Sequence, residues 1–173
     1  MKDFLKRILG VYNFDRVAES QIKKSICLYH SGSKINFWRS IKLYNKLRIK
    51  YNCNIFPSVE IGKNFYIAHA QNILIGKTSI IGENCKIYPN VSIVAALKGD
   101  DERWKKRERR HAKIGNDCII GNGALIIGPI EIGNDVIVAA GAIVTKNIPD
   151  HSVVKNVNEI RTKRIEEMIN RKI

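Results

Sequence analysis

Long hydrophobic runs are missing from this chain of 173 residues. An uncharged apolar stretch such as residues 136–144 is about half as long as a membrane-spanning helix, so no integral membrane protein is predicted. The N-terminus lacks the pattern of a secretory leader, because Lys6, Arg7 and Arg16 interrupt the only candidate segment. We therefore expect a cytoplasmic protein. With 45% hydrophobic residues, the chain has enough apolar material for one core.

Metal-binding and disulfide spacings are missing as well. The four cysteines are scattered without a C-x-x-C pair. The four histidines lack i,i+4 pairing and have no acidic partner at ligand spacing. The sequence therefore predicts neither a disulfide framework nor a metal site.

Acidic residues are few, 16 against 30 basic residues, which gives a net charge of +14. The excess is uneven: residues 1–52 carry 12 basic and 3 acidic residues, whereas residues 113–154 carry 2 and 4. High basicity raises the question of nucleic-acid binding. No recognised nucleic-acid-binding module is visible, so we expect no nucleic acid partner.

The middle of the chain repeats every six residues. Aliphatic residues, often followed by glycine, recur at this spacing: Ile61, Ile67, then Ile75, Ile81, Ile87, Ile93, then Ile114, Ile120, Ile126, Ile132, Val138, Val144. An α-helix would return every 3.6 residues, and a fixed short period indicates a solenoid. Three units of strand and turn would close a triangular coil, with the aliphatic residues inside and coils paired at ~4.8 Å.

Compact residues occupy the position two before each aliphatic residue, and Cys85 and Cys118 are among them. We expect both to point inward, where burial in apolar surroundings raises the thiol pKa. A cysteine nucleophile is therefore not expected.

The pattern [LIV]-G-x-x-x-x resembles that of the left-handed parallel β-helix (hexapeptide-repeat) acyltransferases. The segments IFPSVEIGKNFYIAHAQNILIG, RRHAKIGNDCIIGNGALIIG and GAIVTKNIPDHSVV look most like the serine-acetyltransferase branch, which includes many sugar O-acetyltransferases of polysaccharide assembly. The resemblance implies a mainly β fold, acetyl-CoA as acyl donor, and a homotrimer with active sites between subunits. The expected organisation is a helical segment at 1–52, the β-helix at 53–155 with a loop at 95–110, and a C-terminal helix at 156–173.

The two breaks in the repeat hold the candidate catalytic residues. His69 lies in the first break and His111 ends the second. Acetyl transfer to a hydroxyl needs a base, and an imidazole suits that role near neutral pH. The resemblance implies that His69 is this base, and that Arg110 and His111 line the acceptor pocket across a subunit boundary.

Three departures from the family pattern bear on the acceptor. Asn54 stands where an aspartate would orient the base, Ala68 where an aspartate would precede it, and Phe56 where the family has a histidine. An amide can still accept a hydrogen bond from the imidazole but supplies no charge. The departures favour a neutral or anionic hydroxyl compound over free serine.

Six basic residues lie between Arg103 and Arg110, with Trp104 among them. One interpretation is a solvated surface flap. The other is a binding loop, in which arginines pair with phosphate or carboxylate and Trp104 stacks on a sugar ring.

Coenzyme A is expected along the later coils. The family uses small residues there to let the pantetheine approach the backbone, and lysines in the last segment suit the phosphates. The candidates are Gly121, Gly123, Ala140, Gly141, Lys146 and Lys163.

The basic ends predict helices at 2–9, Asp15–Tyr29, Ser33–Lys50 and 158–173. The first three would cap the open first coil. A sharper interpretation adds contact between their basic, aromatic face and the anionic inner surface of the membrane.

The leading hypothesis from sequence is an acetyl-CoA-dependent O-acetyltransferase acting on a sugar or glycan hydroxyl in capsule, lipopolysaccharide or exopolysaccharide assembly, without an acyl-enzyme or metal. The alternatives are a serine O-acetyltransferase and a catalytically silent scaffold.

Overall fold

A computed structural model describes residues 14–96 and 109–155. The expected helices at 2–9 and 158–173, and most of the loop at 95–110, lie outside these residues.

Two helices precede the repeat. Helix α1 spans Phe14–His30 and helix α2 spans Lys34–Tyr51, each within one residue of the expected bounds. Ser33 caps the start of α2 by accepting the Asn36 N–H, and Asn52, with a left-handed φ of 51°, is the C-cap that follows Tyr51. Within residues 14–96 and 109–155, neither helix combines the length and apolarity needed to cross a bilayer.

The repeat forms fourteen short strands in the described residues. They are β1 Asn54–Ile55, β2 Glu60–Ile61, β3 Tyr66–Ile67, β4 Leu74–Ile75, β5 Ile80–Ile81, β6 Lys86–Ile87, β7 Ser92–Val94, β8 Lys113–Ile114, β9 Ile119–Ile120, β10 Leu125–Ile127, β11 Glu131–Ile132, β12 Ile137–Val138, β13 Ile143–Val144 and β14 Val153–Val154.

The strands stack into three parallel sheets, one for each side of a triangular coil. Face 1 is β1-β4-β7-β10-β13, face 2 is β2-β5-β8-β11 and face 3 is β3-β6-β9-β12-β14. We name the turns between them corner 1/2, corner 2/3 and corner 3/1. From β1 to β13 each strand moves to the next face, and between β13 and β14 the chain passes face 2 through a single bridge from Ile148 to Ile132. This order confirms the expected parallel β-helix.

The core is a stack of the repeat's aliphatic residues. Each of the central residues Ile75, Ile87, Ile93, Ile120 and Ile126 is fully buried. The compact positions two residues earlier are buried too, and they include Cys85, Cys118 and Ala124. Each Ile side chain removed from water contributes about 2 kcal/mol, so the repeat is the main source of stability.

The helices pack on the first coil. Helix α2 contacts β1 and helix α1 contacts β3. Tyr51 and Leu47 of α2 are buried in the same core cluster as Ile55. The helical segment therefore covers the first coil, where strands would otherwise present unpaired edges.

Candidate active site

His69 lies at corner 3/1, between β3 and β4, where two extra residues lengthen the turn. Its φ of 51° is left-handed, a conformation that a non-glycine residue adopts only when its surroundings hold it there. Its neighbours Ala68 and Ala70 are buried while the His69 side chain is exposed. The imidazole lines an open cleft of about 750 Å³ between this corner and the C-terminal end of α2.

Asn54, the expected orienter of His69, is held by a residue that sequence reasoning missed. The Tyr44 hydroxyl donates a hydrogen bond to the Asn54 side-chain oxygen. Burial raises the Tyr44 pKa, so this hydroxyl keeps its proton. A carbonyl oxygen has two lone pairs, so the Asn54 side chain can accept a second hydrogen bond. Phe56 packs on the Tyr44 ring, with centroids 5.4 Å apart.

The four small residues expected to meet coenzyme A follow His69 along the same corner. Gly121 and Gly123 lie between β9 and β10, and Ala140 and Gly141 between β12 and β13. A Cβ at Gly121 would lie 2.6 Å from the Ala140 nitrogen, so coil packing alone requires this glycine. At Gly123 the nearest atom would be 4.0 Å away, which leaves open space on that side of the corner.

His111 lies at corner 1/2, just before β8, and is only 7% exposed. Its Nδ1 is 2.7 Å from the Thr78 hydroxyl, and the Arg110 N–H donates to the same hydroxyl at 3.0 Å. A Cβ at Gly76 would lie 1.9 Å from His111 Nε2. The His111 imidazole is therefore held in contact with Gly76 and Thr78. Sequence reasoning did not single out these two residues for the site.

The surroundings of His111 oppose its protonation. Burial, followed by the charges of Arg110 and Lys77, lowers the His111 pKa to about 4. The imidazole is consequently neutral at physiological pH.

Arg109 anchors the end of the long loop. Its guanidinium donates to the carbonyls of His111 and Ile130 at 3.1 and 3.2 Å, and pairs with Glu131 at 3.0 Å. In the sequence Arg109 was one basic residue among six, and no local signal distinguished it.

Lys146 follows β13 at corner 1/2, away from the four small residues and on the same corner as His111. Its side chain is exposed. The other predicted binding residues, Arg103, Trp104 and Lys163, lie outside the described residues.

The two inward cysteines are buried as expected. Hydrogen bonding with Cys118 and burial raise the pKa of the Cys85 thiol, whereas the bond from Cys85 lowers that of Cys118. Within residues 14–96 and 109–155, no group of three or more candidate ligands could hold a metal ion.

The predicted residues therefore fall on two corners that flank face 1. His69 and the small residues occupy corner 3/1, whereas Arg110, His111 and Lys146 occupy corner 1/2. Within one chain, the two candidate catalytic histidines, His69 and His111, do not lie at a common corner.

Comparisons with known proteins identify the repeat. Residues 111–146 match the family model described as bacterial transferase hexapeptide (six repeats). The serine acetyltransferase of Bacillus pumilus is 33% identical over 103 residues, 60% of this chain and 44% of that protein. The chloroplastic serine acetyltransferase 1 of Arabidopsis thaliana is 37% identical over 110 residues, 64% of this chain and 33% of that protein. This chain thus spans less than half the length of either relative.

Solved structures similar to this chain are also serine acetyltransferases. Soybean serine acetyltransferase complexed with serine is 27% identical, with a TM-score of 0.71 over 83% of this chain and 56% of that one. The Neisseria gonorrhoeae enzyme in complex with serine is 28% identical, with a TM-score of 0.67 over 81% and 53%. These likenesses confirm the expected left-handed parallel β-helix with an N-terminal helical segment.

The same findings overturn the expected sugar or glycan acceptor and the role in polysaccharide assembly, because the relatives are serine acetyltransferases. The sugar prediction rested on carboxylates lost near His69. The structure shows cationic Arg110 and Lys77 near His111. Residues 111–146 resemble the hexapeptide-repeat transferases, and these relatives and solved structures, to which this chain is similar, are serine acetyltransferases.

Proposed function

We propose that this protein transfers the acetyl group of acetyl-CoA to the hydroxyl of serine. The observation that carries the proposal is the 33–37% identity to serine acetyltransferases over 103–110 residues. The exposed, left-handed His69 beside an open cleft supports it from the structure. The comparisons support an acyltransferase more broadly.

His69 acts as general base in this proposal. It takes the proton of the serine hydroxyl as the oxygen attacks the thioester carbonyl. The carbon–sulfur bond then breaks, and the leaving coenzyme A thiolate takes the proton that His69 accepted. Asn54 orients the imidazole through its side-chain oxygen, and Tyr44 holds Asn54 in place.

Arg110, with Lys77 near it, binds the serine carboxylate, and neutral His111 contributes a hydrogen bond. The open side of corner 3/1 at Gly123 receives the pantetheine, next to Gly141. Lys146, which lies on corner 1/2, attracts the phosphates across the subunit boundary, together with Lys163. Arg103 and Trp104 are retained as candidates for substrate contact.

The active molecule is a homotrimer in this proposal, with sites between subunits. The support is the separation of His69 and His111 across face 1 within one chain. A closed cyclic assembly can bring corner 3/1 of one copy against corner 1/2 of the next. We expect the protein in the cytoplasm, and membrane contact has no support from the relatives.

The test is mass-spectrometric detection of O-acetylserine from acetyl-CoA and serine. His69→Asn is the informative variant, because asparagine tolerates a left-handed φ and removes only the base. We expect a loss of about 10²–10⁴-fold in kcat. The matched control is His151→Asn, since His151 also has a left-handed φ of 55° but lies at corner 2/3.

His151→Asn should keep full activity. Absence of O-acetylserine with the unaltered protein would refute the serine acceptor. Full activity of His69→Asn would refute the role of the base.

A further inference from the structure

The contacts of His111 Nδ1 specify which of its two nitrogens carries the proton. The backbone N–H of Thr78 points at Nδ1 at 3.4 Å, and a backbone N–H can only donate. The Thr78 hydroxyl is 2.7 Å from the same nitrogen and already accepts the Arg110 N–H. The hydroxyl hydrogen is therefore free to donate to Nδ1. Both contacts treat Nδ1 as an acceptor, which assigns the proton of the neutral ring to Nε2.

Packing against Gly76 holds the His111 ring at corner 1/2. At Gly62, Gly82 and Gly115, which lie at corner 2/3, an added Cβ would meet backbone atoms of the following coil or the side chain of an asparagine in it, at 2.4–2.8 Å. At Gly76 it would instead meet three atoms of the His111 ring. At corner 1/2 the imidazole thus takes the place beside the turn glycine that coil backbone takes at corner 2/3.

We propose that Thr78 is a positioning residue that holds His111 as the neutral tautomer protonated on Nε2, so that His111 acts as a hydrogen-bond donor and not as a second base. Its role toward substrate rests on the proposed function, whereas the tautomer does not. Nδ1 is occupied by Thr78, so Nε2 is the nitrogen left for a substrate atom. A protonated Nε2 can only donate, and no proton is transferred.

The positive charges around the His111 ring disfavour its protonation, so the ring stays neutral and donates through Nε2–H alone. Arg110 and Lys77 flank it, and the Arg109 guanidinium binds its carbonyl. The acceptor for Nε2–H would be an oxygen bearing negative charge, either the serine carboxylate or the oxyanion that develops on the thioester carbonyl.

The first test is the ¹⁵N spectrum of the full-length protein with labelled histidine, using two-bond couplings to identify the His111 nitrogens. We expect Nδ1 without and Nε2 with a proton. Thr78→Val removes the hydroxyl at nearly constant shape and should give a mixture of tautomers. Thr78→Ser retains the hydroxyl and should restore the original spectrum.

The matched control is Ser58→Ala. Ser58 occupies corner 1/2 one coil earlier, and its hydroxyl donates to the Lys77 carbonyl at 2.8 Å. Its loss should leave the His111 spectrum unchanged. A protonated Nδ1 in the unaltered protein, or a Thr78→Val spectrum identical to it, would overturn the proposal.

The second readout separates this inference from the proposed function. With serine as acceptor, Thr78→Val should lower kcat/KM by about tenfold or more, with rescue by Thr78→Ser and the same pH profile for the base. If no serine acetylation occurs at all, the proposed function fails while the spectrum still decides the tautomer. An active enzyme in which Thr78→Val changes the tautomer but not kcat/KM would refute the donor role.

Discussion

His111 shows what burial does to a single titratable group. Its folded pKa of about 4 lies below the ordinary value of 6.5. As the pH falls below 6.5, the unfolded chain binds a proton before the folded chain does, so the free energy of unfolding decreases. The decrease continues to about pH 4 and amounts to at most about 3 kcal/mol.

The prediction is that His111→Gln removes this part of the pH dependence. Urea unfolding at pH 7 and pH 4.5 would be measured for both proteins, because other groups titrate equally in each. The unaltered protein should lose more stability on acidification than the variant. Equal losses would show that the His111 pKa is not depressed.

Gly76 and Gly62 make a matched pair for close packing. A Cβ at Gly62 would lie 2.6 Å from backbone atoms of Gly82 and Glu83, whereas at Gly76 it would meet a side chain. The backbone of a packed coil moves less readily than an imidazole side chain when an added methyl group contacts it. Gly62→Ala should therefore cost about 1–3 kcal/mol in stability, and Gly76→Ala less.

Gly76→Ala should instead reduce acetyl transfer, because the displaced His111 no longer rests on Thr78. Thermal unfolding and kinetics of the single variants and of Gly76→Ala with His111→Ala would check this. We expect Gly76→Ala to be less destabilising when His111 is already removed. Additive effects would mean that the two residues do not interact.

The turns are held by side chains that repeat from coil to coil. At corner 2/3 the Asn64 amide donates to Asn84, and Asn84 donates to Asp117, at 3.0 and 2.9 Å. All three residues have φ between 54° and 58°. Such short polar residues tolerate the left-handed conformation and bond along the stack, so the turn sequence specifies the corner.

Asn84→Ala and Asn84→Gly separate these two contributions. Alanine loses the hydrogen bonds and also meets the left-handed penalty of about 1–2 kcal/mol, whereas glycine loses the bonds alone. We expect the alanine variant to have the lower melting temperature. Equal melting temperatures would indicate that the side-chain bonds alone matter at this turn.

Helices α1 and α2 form a pair, and α2 also contacts residues of the candidate active site. Tyr44 of α2 bonds to Asn54 of β1, and the end of α2 forms one wall of the cleft beside His69. The helices therefore do more than cover the first coil, because they supply the contact that fixes the predicted orienter.

At the scale of the whole molecule, the division of the site between two corners predicts complementation. His69→Asn and His111→Ala subunits, each inactive alone, would be mixed by unfolding and refolding. Random trimers in which one interface joins an intact His69 to an intact His111 should restore about a quarter of the original activity.

Refolding each variant separately is the control, together with a size measurement of the refolded particles. Recovery only in the mixture would establish a site shared between subunits. Inactive mixtures of correct size would mean that each chain holds its own complete site.

Much of the architecture was accessible from the repeat itself. The step from Ile75 to Ile93, and its resumption from Ile114 to Val144, predicted the faces, the inward residues and the break between them. The helix bounds followed from Ser33 and from apolar spacing. The acceptor was predicted wrongly from Asn54 and Ala68, because a lost carboxylate says little about the cations that another part of the chain places nearby.

The amino-acid sequence alone established the six-residue period, the inward positions and the two breaks at which the histidines lie. These features depend on strand and turn preferences, which residues close together along the chain specify. The partners of those histidines do not. Thr78 reaches His111 across 33 residues, Tyr44 reaches Asn54 from a helix, and Arg109 reaches Ile130 on the next coil. Such contacts depend on how the coils stack and on where the loop leaves and rejoins them, so they emerge only when the chain has folded.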